Sequence, residues 1–141
     1  MTRPPPPSGL VTADEWHQQA IDYYAASQAL QTTHPRIAVY LAGFAVELMI
    51  KAKTLKVGKP LKQTHDLRKL LSHCNLAKKA SQSQIPSRTP QAKFRNYYTL
   101  FRYVTDIWDN QLRYAIWTGT PREVEDIIRD TRVLMDWIWT A

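Results

Sequence analysis

The chain has 141 residues, a net charge of +7, 44% hydrophobic residues and one cysteine, Cys74. That length makes a single domain with a core of its own, four glycines without alternating β-branched runs exclude a turn-rich β protein, and a lone cysteine excludes an internal disulfide and fits a reducing compartment. The charge is segregated: residues 51–95 carry twelve Lys or Arg against one acid, Asp66, a net +11, and the rest of the chain is −4. Such a flank suits a polyanion or an acidic protein surface, or else is a solvated connection; its excess of Lys over Arg favours phosphate attraction over base reading.

Residues 1–11 are Pro-rich and expected to be disordered, with an ordered helical domain over 12–141. Thr12 and Glu15 have capping-box spacing and open a first helix to about Gln31, with Trp16, Ala20, Tyr23, Ser27 and Leu30 on one stripe. Pro35 starts a second helix that runs to about Val57, where Gly58 and Pro60 stop it. From Ile37 to Ile50 this helix is apolar almost all round, which places it at the centre of a helical bundle. Two features interrupt it. Gly43 costs about 1 kcal/mol relative to Ala in a helix interior, a sign of close approach by a neighbour. Glu47 is a carboxylate in an apolar setting and needs a partner. Lys51, one turn on, is the local candidate, and Arg113 is the distant one.

Thr64 is the expected cap of a short third helix whose buried face is Leu67, Leu70, Leu71 and Cys74. Asn75 to Pro90 reads as a long mobile loop. A fourth helix is expected from about Gln91 to Trp117, with Phe94, Tyr97, Tyr98, Phe101, Val104, Trp108, Leu112 and Ala115 inside a sector of about 120°. Arg95, Arg102 and Arg113 fall together beside that sector, near Tyr103 and Trp117. They are suited to holding phosphate while a ring stacks a base, or each pairs with an acid one turn away: Arg102 with Asp106, Arg113 with Asp109. Thr120, Pro121 and Glu123 open a last helix with Val124, Ile127, Ile128, Leu134, Met135 and Ile138 as its stripe. Trp137 and Trp139 lie on its flanks and, with Ala42-Gly43, are candidates for a dimer surface. The fold class is all-α: an up-and-down bundle of four long helices plus a short third one.

Three segments in order, Tyr40-Leu-Ala-Gly-Phe-Ala-Val-Glu-Leu-Met-Ile-Lys51, Thr64-His-Asp-Leu67 with Leu70-Leu71, and Trp108-Asp-Asn-Gln-Leu-Arg-Tyr114, resemble the HEPN (higher eukaryotes and prokaryotes nucleotide-binding) domain. The likeness runs from about Trp16 to Trp139. It implies an up-and-down bundle, usually a homodimer, acting on or near RNA or nucleotides: a ribonuclease of toxin–antitoxin or defence type, a partner of a nucleotidyltransferase, or a silent binding module. The catalytic form of the family carries Arg, four to six residues, then His. Arg113 matches the Arg, but Thr118, Gly119 and Thr120 stand where the His belongs, and none is a general acid or base at neutral pH.

The resemblance therefore leans away from an enzyme and toward a non-catalytic domain that binds RNA or a nucleotide or regulates a partner protein. A ribonuclease using Arg113 with His65, and a protein-binding partner of a nucleotidyltransferase, are the alternatives. Candidate ligand-binding residues are Arg113, Arg102, Arg95, His65, Lys51 and Tyr114, with Glu47 and Arg113 as a structural ion pair. His65 sits beside a helix N-terminus, either facing a ligand or tying down the preceding loop. A second Arg-x4-His, Arg68 to His73, puts its side chains about 140° apart around a helix. No metal-ligand spacing or cofactor motif occurs, no apolar run reaches the roughly 18 residues of a membrane span, and a cytoplasmic location is expected.

Overall fold

The computed structural model describes residues 12–108 and 119–141, and these are all-helical. The Pro-rich N-terminus and the expectations for Asp109, Leu112, Arg113, Tyr114, Ala115, Trp117 and Thr118 lie outside the described residues. Six helices are seen: α1 (Ala13–Leu30), α2 (Pro35–Lys56), α3 (Leu67–His73), α4 (Ala77–Gln82), α5 (Tyr97–Asp106) and α6 (Pro121–Thr140), with a 3-10 turn at Pro90–Lys93.

Helix α2 is the axis of the bundle, as its unbroken apolar run demands: Val39, Ala42, Ala45, Val46, Met49, Ile50 and Ala52 are all buried. Helix α1 packs along one side of it and α6 along another, with α3 against its C-terminal half. Ser27 donates to the Ala38 carbonyl at 2.6 Å and Tyr24 to the Ile128 carbonyl at 2.9 Å, so α1 is tied to both neighbours by buried hydrogen bonds. Tyr24 rather than Tyr23 takes the deep position, because Ala20, Tyr24 and Ser27 follow the i, i+4, i+7 spacing of the seam. Tyr23 lies on the flank, its ring 5.9 Å from Phe44.

Thr12 and Thr120 cap α1 and α6 as their spacing predicts; at Thr120 the box is reciprocal with Glu123. The cap of α3 differs from expectation. Asp66 is the N-cap and accepts from Arg68 N and Lys69 N, whereas Thr64 accepts from Asp66 N and shapes the turn before it. A carboxylate one residue before the helix reaches two amides at once, which Thr64 is too far back to do.

The expected loop at 75–90 is structured. Asn75 takes a left-handed conformation (φ 65°) that turns the chain out of α3. Leu76, Ala80 and Ile85 are then buried and seat α4 on the core. The expected fourth helix starts later than its stripe suggested: Pro90 opens the 3-10 turn instead, and Asn96 caps α5 through Thr99 N at 2.9 Å. Gln91 in that turn is buried and donates to Asp130 of α6 at 2.9 Å. Arg95 thus precedes α5 rather than sharing its face with Arg102.

Trp137 and Trp139 are partly buried and engaged within the chain. Trp137 stacks on Tyr97 with centroids 4.9 Å apart, and Trp139 on His17 at 4.2 Å. Lys56 lies over the Trp139 ring and donates to the Trp139 carbonyl, joined by buried Lys53, which also reaches the Ala141 carbonyl. Two cations therefore satisfy the end of α6, where orphan carbonyls and the dipole favour them. Burial lowers the Lys53 pKa, helped by the nearby Lys56 and Lys79 charges. Burial also pushes the Cys74 thiol up, and its Sγ donates to the Leu71 carbonyl.

Candidate functional site

Tyr40, Phe44, Glu47 and Lys51 follow one another at helical spacing and so share one face of α2. At that face Gly43 does what its cost implied. A Cβ there would collide with the Trp108 ring, so the missing side chain is the seat of an indole arriving just beyond α5. Trp108 is buried in that seat and its Nε1 donates to the Tyr40 carbonyl at 3.1 Å. The three rings form one cluster: Tyr40 and Trp108 have centroids 5.9 Å apart, and Phe44 meets Trp108 edge-on at 6.2 Å and 89°. Tyr40 is 40% exposed and forms the rim.

Glu47 closes the floor of this cluster. Its side chain is 2% exposed, and Oε2 accepts from Lys51 Nζ at 3.1 Å and from His65 Nδ1 at 3.0 Å. Among the described residues, then, two donors answer the carboxylate. Lys51 is the local one expected; it is itself mostly buried and its Nζ lies 5.8 Å from the Trp16 ring. His65 is the unexpected one: it binds α2 across eighteen positions of sequence rather than the loop next to it. Nothing in the spacing of the sequence reports that contact. The Glu47–Arg113 pair lies outside the described residues. Glu47 Oε1 is buried and has no partner among them.

The His65 ring is 73% exposed. With Nδ1–H committed to the carboxylate, the tautomer is set and Nε2 is the nitrogen left for solvent or a ligand. Tyr40, Phe44, Glu47, His65 and Trp108 together line a pocket of about 240 Å³. It offers aromatic faces, one buried acceptor oxygen and one oriented imidazole.

The other expected residues fall elsewhere. Arg95 and Arg102 are exposed, and Asp106 is engaged by Arg68 of α3 at 3.0 Å, not by Arg102. The pair thus joins α3 to the last residue of α5 instead of forming within one helix. His73, of the second Arg-x4-His, has Nε2 on the Pro60 carbonyl at 2.8 Å and does not meet Arg68. Both line an open concavity of about 410 Å³ with Lys62, Lys69 and Ser72. The described residues bring no three His, Cys, Asp or Glu together as a metal cage, and contain no helix long and apolar enough to cross a membrane.

One buried acid was missed by sequence reasoning: Asp130, fully enclosed, with Oδ1 on Gln91 Nε2 and Oδ2 without a partner among the described residues. Burial raises its pKa, opposed by the Gln91 hydrogen bond and the Lys93 and Arg129 charges. A signal was present: Asp130 lies three residues after Ile127 and four before Leu134, on the edge of the apolar stripe.

No curated protein and no solved structure matches the chain. A family model described as the HEPN domain matches residues 13–140, nearly the whole chain and every helix that builds the pocket. With that match spanning the whole all-helical bundle, from α1 to α6, this chain belongs to the HEPN domain family.

Proposed function

We propose that this protein is a non-catalytic HEPN domain that binds RNA or a nucleotide as a homodimer, with a base entering the pocket at Tyr40, Phe44, Glu47, His65 and Trp108. The observation that carries the reading is the pairing of exposed aromatic surface with a buried carboxylate oxygen that lacks a partner among the described residues. Rings stack any base, and a fixed carboxylate accepts from a base N–H. Ile37 and Tyr40 stand exposed one turn apart on α2, so a second copy covering Ile37 would wall the pocket. The absence of the family's His supports a binding role: Gly119 has no side chain, and the Thr120 hydroxyl is spent on the α6 cap.

The test is binding of fluorescein-labelled single-stranded RNA and of nucleotides, followed by anisotropy, with sedimentation for the dimer. Tyr40→Ala is expected to weaken binding about tenfold, within the roughly 1–3 kcal/mol that stacking one base contributes. A wild type that binds neither class of probe refutes the reading.

A second reading, ribonuclease, is favoured by one specific observation. His65 is held by a buried carboxylate with Nε2 facing out, the arrangement a general acid or base uses. Arg113 of the family motif would be its companion. Cleavage of varied RNAs by the wild type, abolished both in His65→Ala and in Arg113→Ala, would replace the binding-only reading; absence of cleavage removes the ribonuclease.

A further inference from the structure

The concavity on the outer face of α3 answers a different chemistry from the aromatic pocket. Leu67, Leu70 and Leu71 are buried, which turns Arg68, Lys69 and Ser72 outward. Lys62 joins them from the preceding segment, and the five residues Lys62, Arg68, Lys69, Ser72 and His73 line an open concavity of about 410 Å³. The wall is fixed rather than draped. His73 Nε2 donates to the Pro60 carbonyl at 2.8 Å and Lys59 Nζ to the His73 carbonyl at 2.9 Å, so two hydrogen bonds stitch the segment before α3 to its last turn. Arg68 is aimed by Asp106 through one guanidinium nitrogen at 3.0 Å, which leaves the rest of its planar fork for another acceptor.

The local acids do not balance these cations. Asp66 Oδ1 accepts from the Arg68 and Lys69 backbone amides, and among the described residues Asp106 is the one carboxylate paired with a side chain of the concavity. Three outward cations beside two engaged acids, Asp66 and Asp106, leave a net positive hollow, in the middle of the +11 segment. A phosphate suits it: several oxygens take an oriented Arg fork and two mobile Lys charges at once, which a single carboxylate cannot do. The hollow and the pocket draw on neighbouring stretches of sequence: Arg68 stands three residues after His65, and its partner Asp106 two residues before Trp108.

We propose that the α3 concavity is a phosphate-binding site, taking the phosphates of the ligand whose base the aromatic pocket holds. The proposal rests on the binding reading above for the identity of that ligand, but the site has its own chemistry and its own probe.

The experiment uses the full chain and three probes: inorganic tripolyphosphate, ATP and a single-stranded RNA 12-mer. The variant Lys62→Gln/Arg68→Gln/Lys69→Gln changes exposed side chains, and its fold is checked by circular dichroism. Tripolyphosphate binding is expected to disappear in this variant and to survive Tyr40→Ala. For RNA, the slope of log K against log salt is expected to flatten by about 2, three contacts at roughly 0.7 each. Loss with RNA alone assigns the site to a nucleic-acid backbone; loss with ATP as well assigns it to a nucleotide's polyphosphate. Unchanged slope and unchanged tripolyphosphate binding overturn the site while leaving the base pocket standing. Tripolyphosphate binding through these cations, with no binding of RNA or ATP, keeps the site and sinks the base reading. If no probe binds the wild type, both fall.

Discussion

Glu47 and Asp130 are two enclosed carboxyl groups on two long helices, α2 and α6, and their surroundings differ. Glu47 puts one oxygen between two cationic or cation-forming donors, Lys51 and His65, at the floor of a pocket. Asp130 gives one oxygen to the neutral Gln91 amide and has Arg129 Nε at 3.8 Å as its nearest charge. Each keeps a second oxygen without a partner among the described residues. A carboxyl met by cations in an open pocket is available as a charge; one met by an amide in a sealed interior is a tie between segments. On the binding reading proposed above, the first serves recognition and the second folding.

The comparison breaks most visibly under truncation. Asp130→Ala should cost about 2–3 kcal/mol in urea denaturation, because it orphans the buried Gln91 amide and releases the 3-10 turn from α6. Glu47→Ala should cost less, about 1–2 kcal/mol, since His65 is already largely exposed and the Lys51 ammonium can reach water along its stem. If Glu47→Ala proves the more destabilising, the division of labour is wrong. Gly43→Ala is of comparable size: the methyl group meets the Trp108 ring, and overpacking of this kind costs about 1–3 kcal/mol. Ligand binding should fall with it as the indole is displaced, whereas Asp130→Ala should leave the affinity of the surviving folded fraction unchanged.

Acidity sharpens the same contrast. The Asp130 pKa is raised by burial, so the fold favours its protonated form. Its contribution to stability is complete below the ordinary carboxylic range, near 3.8, and is lost as pH rises through the raised value. Wild type measured against Asp130→Asn should therefore lose relative stability on going from acid to neutral pH, read as urea midpoints across that range. A flat difference would remove the account of Asp130 as a carboxyl whose charged form burial disfavours. The smallest effect is expected at an exposed pair. A double-mutant cycle of Arg68→Gln with Asp106→Asn should give about 0.2–1 kcal/mol, a solvent-exposed reference against which both enclosed carboxyls are judged.

Much of this was legible in the residues, and the failures share a cause. The apolar belt of α2, the caps at Thr12 and Thr120 and the α6 stripe are local patterns, set within one or two helical turns. The demand of Glu47 for a partner was equally plain, and its i+4 neighbour Lys51 was in view. His65 was not, because a contact across eighteen positions depends on how the segment before α3 folds back, which periodicity does not encode. The same holds for Gln91 and Asp130, thirty-nine positions apart. The Lys, Ser and Gln content of residues 75–90 suggests a loose segment, while three buried anchors, Leu76, Ala80 and Ile85, decide the matter through tertiary contact. Gly43 marked a close approach but not what approached; an indole from far along the chain fills it.

Cys74 carries a practical consequence. The sole thiol of the chain is enclosed, donates to a carbonyl and is held toward its protonated form, so it presents no nucleophile to reagents in solution. Lys69→Cys would thus be the only group to take a maleimide or nitroxide, with no background to remove. Spin labels placed there turn the question of whether two copies associate, and across which face, into a single interspin distance distribution read by pulsed electron paramagnetic resonance.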